Sequence, residues 1–219
     1  MTNSFDFPPA ILDRLKRTRM IAVLIVDEVQ DAIPVAQALL AGGIEAMELT
    51  LRTAGAVDAI RRIKGEVPGM IVGAGTVLTP EQVLAVADAR ADFAVAPGTN
   101  ARVVRAARER GLPFAPGIAT PSDIEQALEL GCRLLKFFPA EPMGGLGYLK
   151  SIAAPYAHLG VKYIPLGSVD MNCAAAYLND PMVQAVGGSW IAPRDLIVKR
   201  EWGAIEQNAR KAVSAVGRK

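Results

Sequence analysis

Eight short apolar runs, separated by segments of helical periodicity, constrain this chain more than any other feature. The runs cover residues 20–26, 44–51, 70–77, 92–97, 113–119, 133–138, 162–167 and 184–190. Each is apolar nearly throughout rather than at alternate positions, which implies strands buried on both faces. Between them, residues 31–41, 54–64, 80–89, 101–110 and 121–130 gather apolar side chains on one helical face. Strands joined through helices pair in parallel. Eight such units in 219 residues predict a single (β/α)8 barrel over residues 1–219, with an extra N-terminal helix at about 7–18 and a last helix at 201–215. The competing architecture is an open doubly wound sheet. Its glycine-rich first turn is missing, because Val26-Asp27-Glu28-Val29 holds no glycine.

The helices carry their own punctuation. Thr79-Pro80-Glu81 and Thr120-Pro121-Ser122-Asp123 place a capping hydroxyl before a proline at the first helical position, with acids in the first turn. Gly42, Gly65, Gly111 and Gly131 mark helix ends where a left-handed residue is expected.

Composition narrows the chemistry. With 24 Lys and Arg against 22 Asp and Glu, the net charge is +2, and no basic run tracks a phosphate backbone. No nucleic-acid partner is expected. His158 is the one histidine, whereas a zinc site draws on two or three imidazoles, so no metal is expected; an all-oxygen magnesium site stays open. Cys132 and Cys173 read as reduced thiols. No apolar stretch approaches the roughly 20 residues that span a bilayer, and residues 1–9 lack a secretory pattern. A cytoplasmic protein without membrane contact is expected.

In a barrel of parallel strands, chemistry sits at the C-terminal strand ends. The second run ends Glu48-Leu49-Thr50-Leu51-Arg52, and alternation turns Glu48, Thr50 and Arg52 to one face and Met47, Leu49 and Leu51 to the other. If the apolar set meets the helices, Glu48 and Arg52 point inward, either to each other as an ion pair or to a substrate. The sixth run, Arg133-Leu134-Leu135-Lys136-Phe137-Phe138-Pro139, sets one lysine among large apolar neighbours. Apolar surroundings favour a neutral amine, the form that attacks carbonyls, although a lysine at a strand end also reaches for solvent. Thr76, after Gly73-Ala74-Gly75, offers a hydroxyl at the rim; the glycines either let the backbone be approached closely or simply give the strand room to twist. Leu166-Gly167-Ser168 and Gly187-Gly188-Ser189 end the last two runs, where barrels often bind phosphate through backbone amides and where ordinary turns also occur.

The run Ala41–Arg52 resembles the second strand of the bacterial 2-keto-3-deoxy-6-phosphogluconate (KDPG) and 4-hydroxy-2-oxoglutarate aldolases. Val72-Gly73-Ala74-Gly75-Thr76-Val77, Leu135-Lys136-Phe137-Phe138-Pro139-Ala140-Glu141 and Gly187-Gly188-Ser189-Trp190 extend the resemblance, in matching order and spacing, from about Met20 to Pro193. The resemblance implies a homotrimer of (β/α)8 barrels that needs no metal or organic cofactor. It implies Lys136 as the Schiff-base lysine and Glu48 as general acid and base, with Arg52 and Thr76 on the pyruvate carboxylate, Phe138 beside the lysine and Pro97 on the pocket wall. A keto acid would be the substrate, with Gly167, Ser168, Gly188 and Ser189 about its far end. The chain departs from the family at Leu166-Gly167-Ser168-Val169, where members usually read Thr-Gly-Gly-Ile, and at Ala54, where Pro usually follows the threonine. Asp170 reads as a helix cap that also sets a negative charge near the far end. Other readings are an aldolase preferring an unphosphorylated or different 2-keto-3-deoxy sugar acid, a barrel isomerase in which Lys136 only binds, and a keto-acid-binding protein without catalysis.

Overall fold

The computed structural model describes residues 7–217. The chain runs α1 (Pro9–Thr18), β1 (Met20–Leu24), α2 (Ala32–Ala41), β2 (Ala46–Thr50), α3 (Ala56–Glu66), β3 (Ile71–Gly75), α4 (Pro80–Asp88), β4 (Phe93–Val95), α5 (Ala101–Glu109) and β5 (Phe114–Ala115). It continues β6 (Gly117–Ile118), α6 (Pro121–Glu129), β7 (Leu134–Phe137), α7 (Gly145–Ala153), β8 (Lys162–Pro165), α8 (Met171–Leu178), β9 (Val186–Gly188), α9 (Arg194–Val198) and α10 (Trp202–Val216). The alternation of strand and helix follows the apolar runs throughout.

The strands form a curled parallel α/β arrangement in two sheets, β5-β4-β3-β2-β1-β9 and β6-β7-β8, rather than one unbroken ladder of eight. The fifth apolar run supplies both β5 and β6, because Pro116 between them has no amide hydrogen for the ladder. Its carbonyl still accepts a bond from the Lys136 amide at 2.9 Å. A single parallel bridge, Tyr163 to Val183, links the start of β8 to the segment before β9.

Alternation along the strands builds two apolar layers. Met47 and Leu49 of β2, Leu135 and Phe137 of β7 and their equivalents pack outward against Val35, Leu39, Ile60 and Ile63 of the helices. Ile21, Ala46, Ile71, Phe93, Leu134 and Ile164 pack inward with Phe7 and with Leu15 of α1. Phe7 and Phe93 meet with ring centroids 5.8 Å apart. Fully burying such side chains contributes roughly 1.5–3 kcal/mol each. The inner layer therefore fills the N-terminal end of the sheet and leaves the polar inward positions at the C-terminal end.

Thr79 and Thr120 cap α4 and α6 in full capping boxes. Of the expected helix-ending glycines, Gly111 and Gly131 take positive φ. Gly42 does not: it stays right-handed where α2 packs on α10, and Gly43 takes the left-handed turn at φ 90°. Gly65 lies inside α3, which runs on to Glu66.

Candidate active site

Each inward position of β2 and β7 alternates with a core residue, so packing of the outer layer fixes which way the polar side chains point. Glu48 sits between Val23 of β1 and Gly73 of β3, and Lys136 between Gly117 of β6 and Ile164 of β8. Lys136 Nζ lies 3.0 Å from Glu48 Oε1, with both side chains buried. The lysine nitrogen also stands 5.4 Å from the centroid of the Phe138 ring, in cation–π range. A Cβ at Gly75 would fall 2.1 Å from Glu48 Oε1, so the glycine makes room for the carboxylate.

Of the two readings of Glu48 and Arg52, the ion pair between them does not form. β2 ends at Thr50, and Arg52 lies beyond it on the rim, exposed and with no ion pair among the described residues. Thr50 Oγ1 donates to the Leu24 carbonyl at 3.2 Å. Thr76 and Ser168 both adopt φ 58°, a left-handed conformation that L side chains seldom occupy, and both face the same cavity. That cavity, about 220 Å³, is lined by Glu48, Arg52, Thr76, Pro97, Lys136, Phe138, Gly167, Ser168, Gly188 and Ser189. The structure thus brings together the ten residues that the resemblance assigns to the site, while Asp170 does not line the cavity. It adds Val23, Thr50, Leu166, Val169 and Gly187 to the wall. Thr50 shares the alternation of Glu48, and Val23 follows inward-facing Ile21 by two positions, so strand periodicity was the available signal for both.

At the same end, Arg194 donates to Asp27 through Nε at 2.9 Å and Nη2 at 2.6 Å, and this holds the Asp27 carboxyl below the ordinary carboxylate range. Asp170 caps α8 by accepting from the Asn172 and Cys173 amides. Clefts of about 610 and 670 Å³ open at the opposite end of the strands, and neither reaches Lys136 or Glu48. Among the described residues, no cluster of three His, Cys, Asp or Glu side chains is arranged to hold a metal ion. No helix among them is long and apolar enough to cross a membrane.

A buried amine touching a carboxylate, with a guanidinium at the rim, can form an imine with a bound ketone and pass protons beside it. A family model described as KDPG and KHG aldolase matches residues 11–208. The 2-dehydro-3-deoxy-phosphogluconate aldolase of Treponema pallidum is 41% identical over 94% of this chain and 98% of its own length. The KHG/KDPG aldolase of Escherichia coli is 42% identical over 89% and 90%. A crystal structure of the KDPG aldolase of Legionella pneumophila, with pyruvate captured as a covalent carbinolamine intermediate, superposes with a TM-score of 0.87 at 36% identity, covering 94% of this chain and 98% of that one. The protein is an aldolase, a carbon–carbon lyase. It belongs to the KDPG and KHG aldolase family.

Proposed function

We propose that the chain is a class I aldolase that reversibly cleaves a 2-keto-4-hydroxy acid, of the KDPG or 4-hydroxy-2-oxoglutarate type, to pyruvate and an aldehyde, either glyceraldehyde 3-phosphate or glyoxylate. The observation that carries this reading is the 3.0 Å contact between the buried Lys136 Nζ and Glu48 Oε1 on the cavity wall. Glu48 accepts a proton from Lys136, and the freed amine adds to the C2 ketone. Loss of water, with a proton returned from Glu48, leaves a protonated imine on Lys136. The iminium draws the electron pair of the C3–C4 bond as that bond breaks, and Glu48, directly or through a water, removes the C4 hydroxyl proton as the aldehyde departs. Protonation of the enamine at C3 and hydrolysis release pyruvate and restore Lys136.

Arg52 and Thr76 hold the substrate carboxylate, Arg52 through its planar two-pronged donor set. Phe138 steadies the charged lysine, Pro97 shapes the wall, and Gly167, Ser168, Gly188 and Ser189 surround the aldehyde end. The iminium is the electron sink, so the reaction needs no metal or organic cofactor. The reading includes one (β/α)8 unit spanning residues 1–219, closed across Pro116 and the Tyr163–Val183 bridge, a homotrimer and a cytoplasmic location. The test is pyruvate release, followed by coupling to lactate dehydrogenase, with KDPG and with 4-hydroxy-2-oxoglutarate. Pyruvate should form from at least one, and release from neither by the folded protein would overturn the proposal.

A further inference from the structure

Leu166, Gly167, Ser168 and Val169, consecutive residues between β8 and α8, all line the cavity. Two of them hold backbone that L residues seldom adopt: Gly167 has φ 101° and Ser168 φ 58°. For serine this conformation is unfavourable, so its surroundings must impose it.

The turn that follows β7 supplies part of that restraint. The Leu166 amide donates to the Phe137 carbonyl at 2.9 Å, the Ala140 amide to the Leu166 carbonyl at 2.7 Å and the Glu141 amide to the Gly167 carbonyl at 3.1 Å. The pairing of β7 with β8 thus runs on past both strand ends into their loops. The fit is close: a Cβ at Gly167 would fall 2.9 Å from Pro139 Cα and 3.1 Å from the Ala140 nitrogen.

A side chain ties the far end of the same loop. The Tyr177 hydroxyl, on α8, donates to Glu141 Oε1 at 2.6 Å. Tyr177 is buried in the core, whereas Glu141 is exposed. Burial first, and then the Glu141 carboxylate, push the Tyr177 hydroxyl above the ordinary phenol range, so it stays a donor near neutral pH. Because α8 begins at Met171, directly after the wall loop and its capping Asp170, Glu141 grips the loop twice. Its backbone holds Gly167, and its carboxylate holds the helix into which the loop leads. Lys136 is supported from elsewhere: its amide donates to the Pro116 carbonyl at 2.9 Å, and its Nζ meets Glu48.

We propose that Tyr177 and Glu141 are positioning residues for the aldehyde. Their hydrogen bond fixes the loop of residues 166–169 against which the aldehyde fragment is received, and it leaves the pyruvate chemistry at Lys136 untouched. The inference rests on the Schiff-base reading, because that reading divides the cavity into a pyruvate end and an aldehyde end.

The two ends can be assayed apart. Exchange of the pyruvate methyl protons with D2O needs only the imine on Lys136: a C3 proton leaves the iminium, its electron pair forms the enamine, and C3 takes a deuteron from the medium on return. Condensation of pyruvate with glyoxylate or with glyceraldehyde 3-phosphate needs the aldehyde end as well. Tyr177→Phe removes the hydroxyl and leaves the exposed Glu141 carboxylate to water, so no buried charge is stranded. Methyl exchange should continue at the wild-type rate. The aldehyde KM should rise about 10-fold with kcat held, the scale of one hydrogen bond to a charged group. Glu141→Ala should behave alike, and Glu141→Gln, which keeps an acceptor for the tyrosine, should restore the wild-type KM. An aldehyde KM unmoved in both Tyr177→Phe and Glu141→Ala, or methyl exchange that falls as far as condensation, would overturn this inference alone. A folded wild type that neither exchanges the methyl protons nor condenses pyruvate with either aldehyde would overturn the reading beneath it as well.

Discussion

Lys136 Nζ and Glu48 Oε1 meet at 3.0 Å although their residues are 88 positions apart and belong to different sheets, β7 of the three-stranded sheet and β2 of the six-stranded one. The contact spans the interior that the curled sheets enclose. Both side chains are buried, so removing either charge strands the other, which in buried pairs costs about 3–5 kcal/mol. Kinetic tests of the pair should therefore conserve shape, and a truncating variant should be checked for folding before it is labelled.

Glu48→Gln keeps the shape and a hydrogen bond to Lys136 but cannot shuttle protons. Turnover should fall roughly 10²-fold or more, the usual scale for a lost acid–base group. Pyruvate should still be trapped on the lysine by borohydride. Cleavage at the wild-type rate would show that Glu48 moves no proton.

Gly75→Ala tests the same carboxylate from its other side. A Cβ there would fall 2.1 Å from Glu48 Oε1, so the carboxylate must move and its contact with Lys136 must lengthen. A loss of about 10²-fold in kcat is expected, with far-ultraviolet dichroism unchanged. Gly65→Ala is the control: it lies inside α3 with open space around it and should raise stability by about 0.4–1 kcal/mol. Full activity in Gly75→Ala would separate Glu48 placement from catalysis.

Prolonged dialysis against EDTA should leave the cleavage rate unchanged, because the iminium on Lys136 takes the electrons that a metal-bound enolate would otherwise hold. Lost activity that returns on adding a divalent ion would reverse that assignment.

Lys136 stands out in the sequence because it interrupts a strand that is otherwise apolar, and Glu48 because alternation puts a carboxylate on the face opposite Met47 and Leu49. Their contact with each other does not. Alternation assigns a side chain to a face, but which strands meet across the interior depends on how the sheets curl. Locality suggests Arg52 as the partner of Glu48, while β2 stops at Thr50 and leaves Arg52 on the rim. Pro116 dividing β5 from β6 is visible as a proline in a strand run. Val23 is harder to see as a wall residue, since an apolar side chain in a strand looks like core until its neighbours are known. Gly42 and Gly43 are interchangeable as helix stops in the sequence, and close packing on α10 decides between them.

Tyr163 offers a test of stability away from the site. Its hydroxyl is buried with no hydrogen-bond partner among the described residues, and burial pushes its pKa up to about 12. The unfolded value is about 10. A pKa raised by folding contributes stability that is complete below the unfolded value and is lost as pH rises through the folded one. Thermal stability should therefore decline between pH 10 and 12, less steeply in Tyr163→Phe. At neutral pH the variant should gain about 1–3 kcal/mol, the cost of an unmade buried hydrogen bond. A less stable variant at neutral pH would mean that the hydroxyl has a partner in solution.

The most direct measurement is borohydride reduction in the presence of pyruvate, followed by peptide mass spectrometry. One pyruvate-derived adduct per chain should form, it should map to Lys136, and Lys136→Ala should abolish it. An adduct on another lysine, or full labelling of Lys136→Ala, would contradict the account.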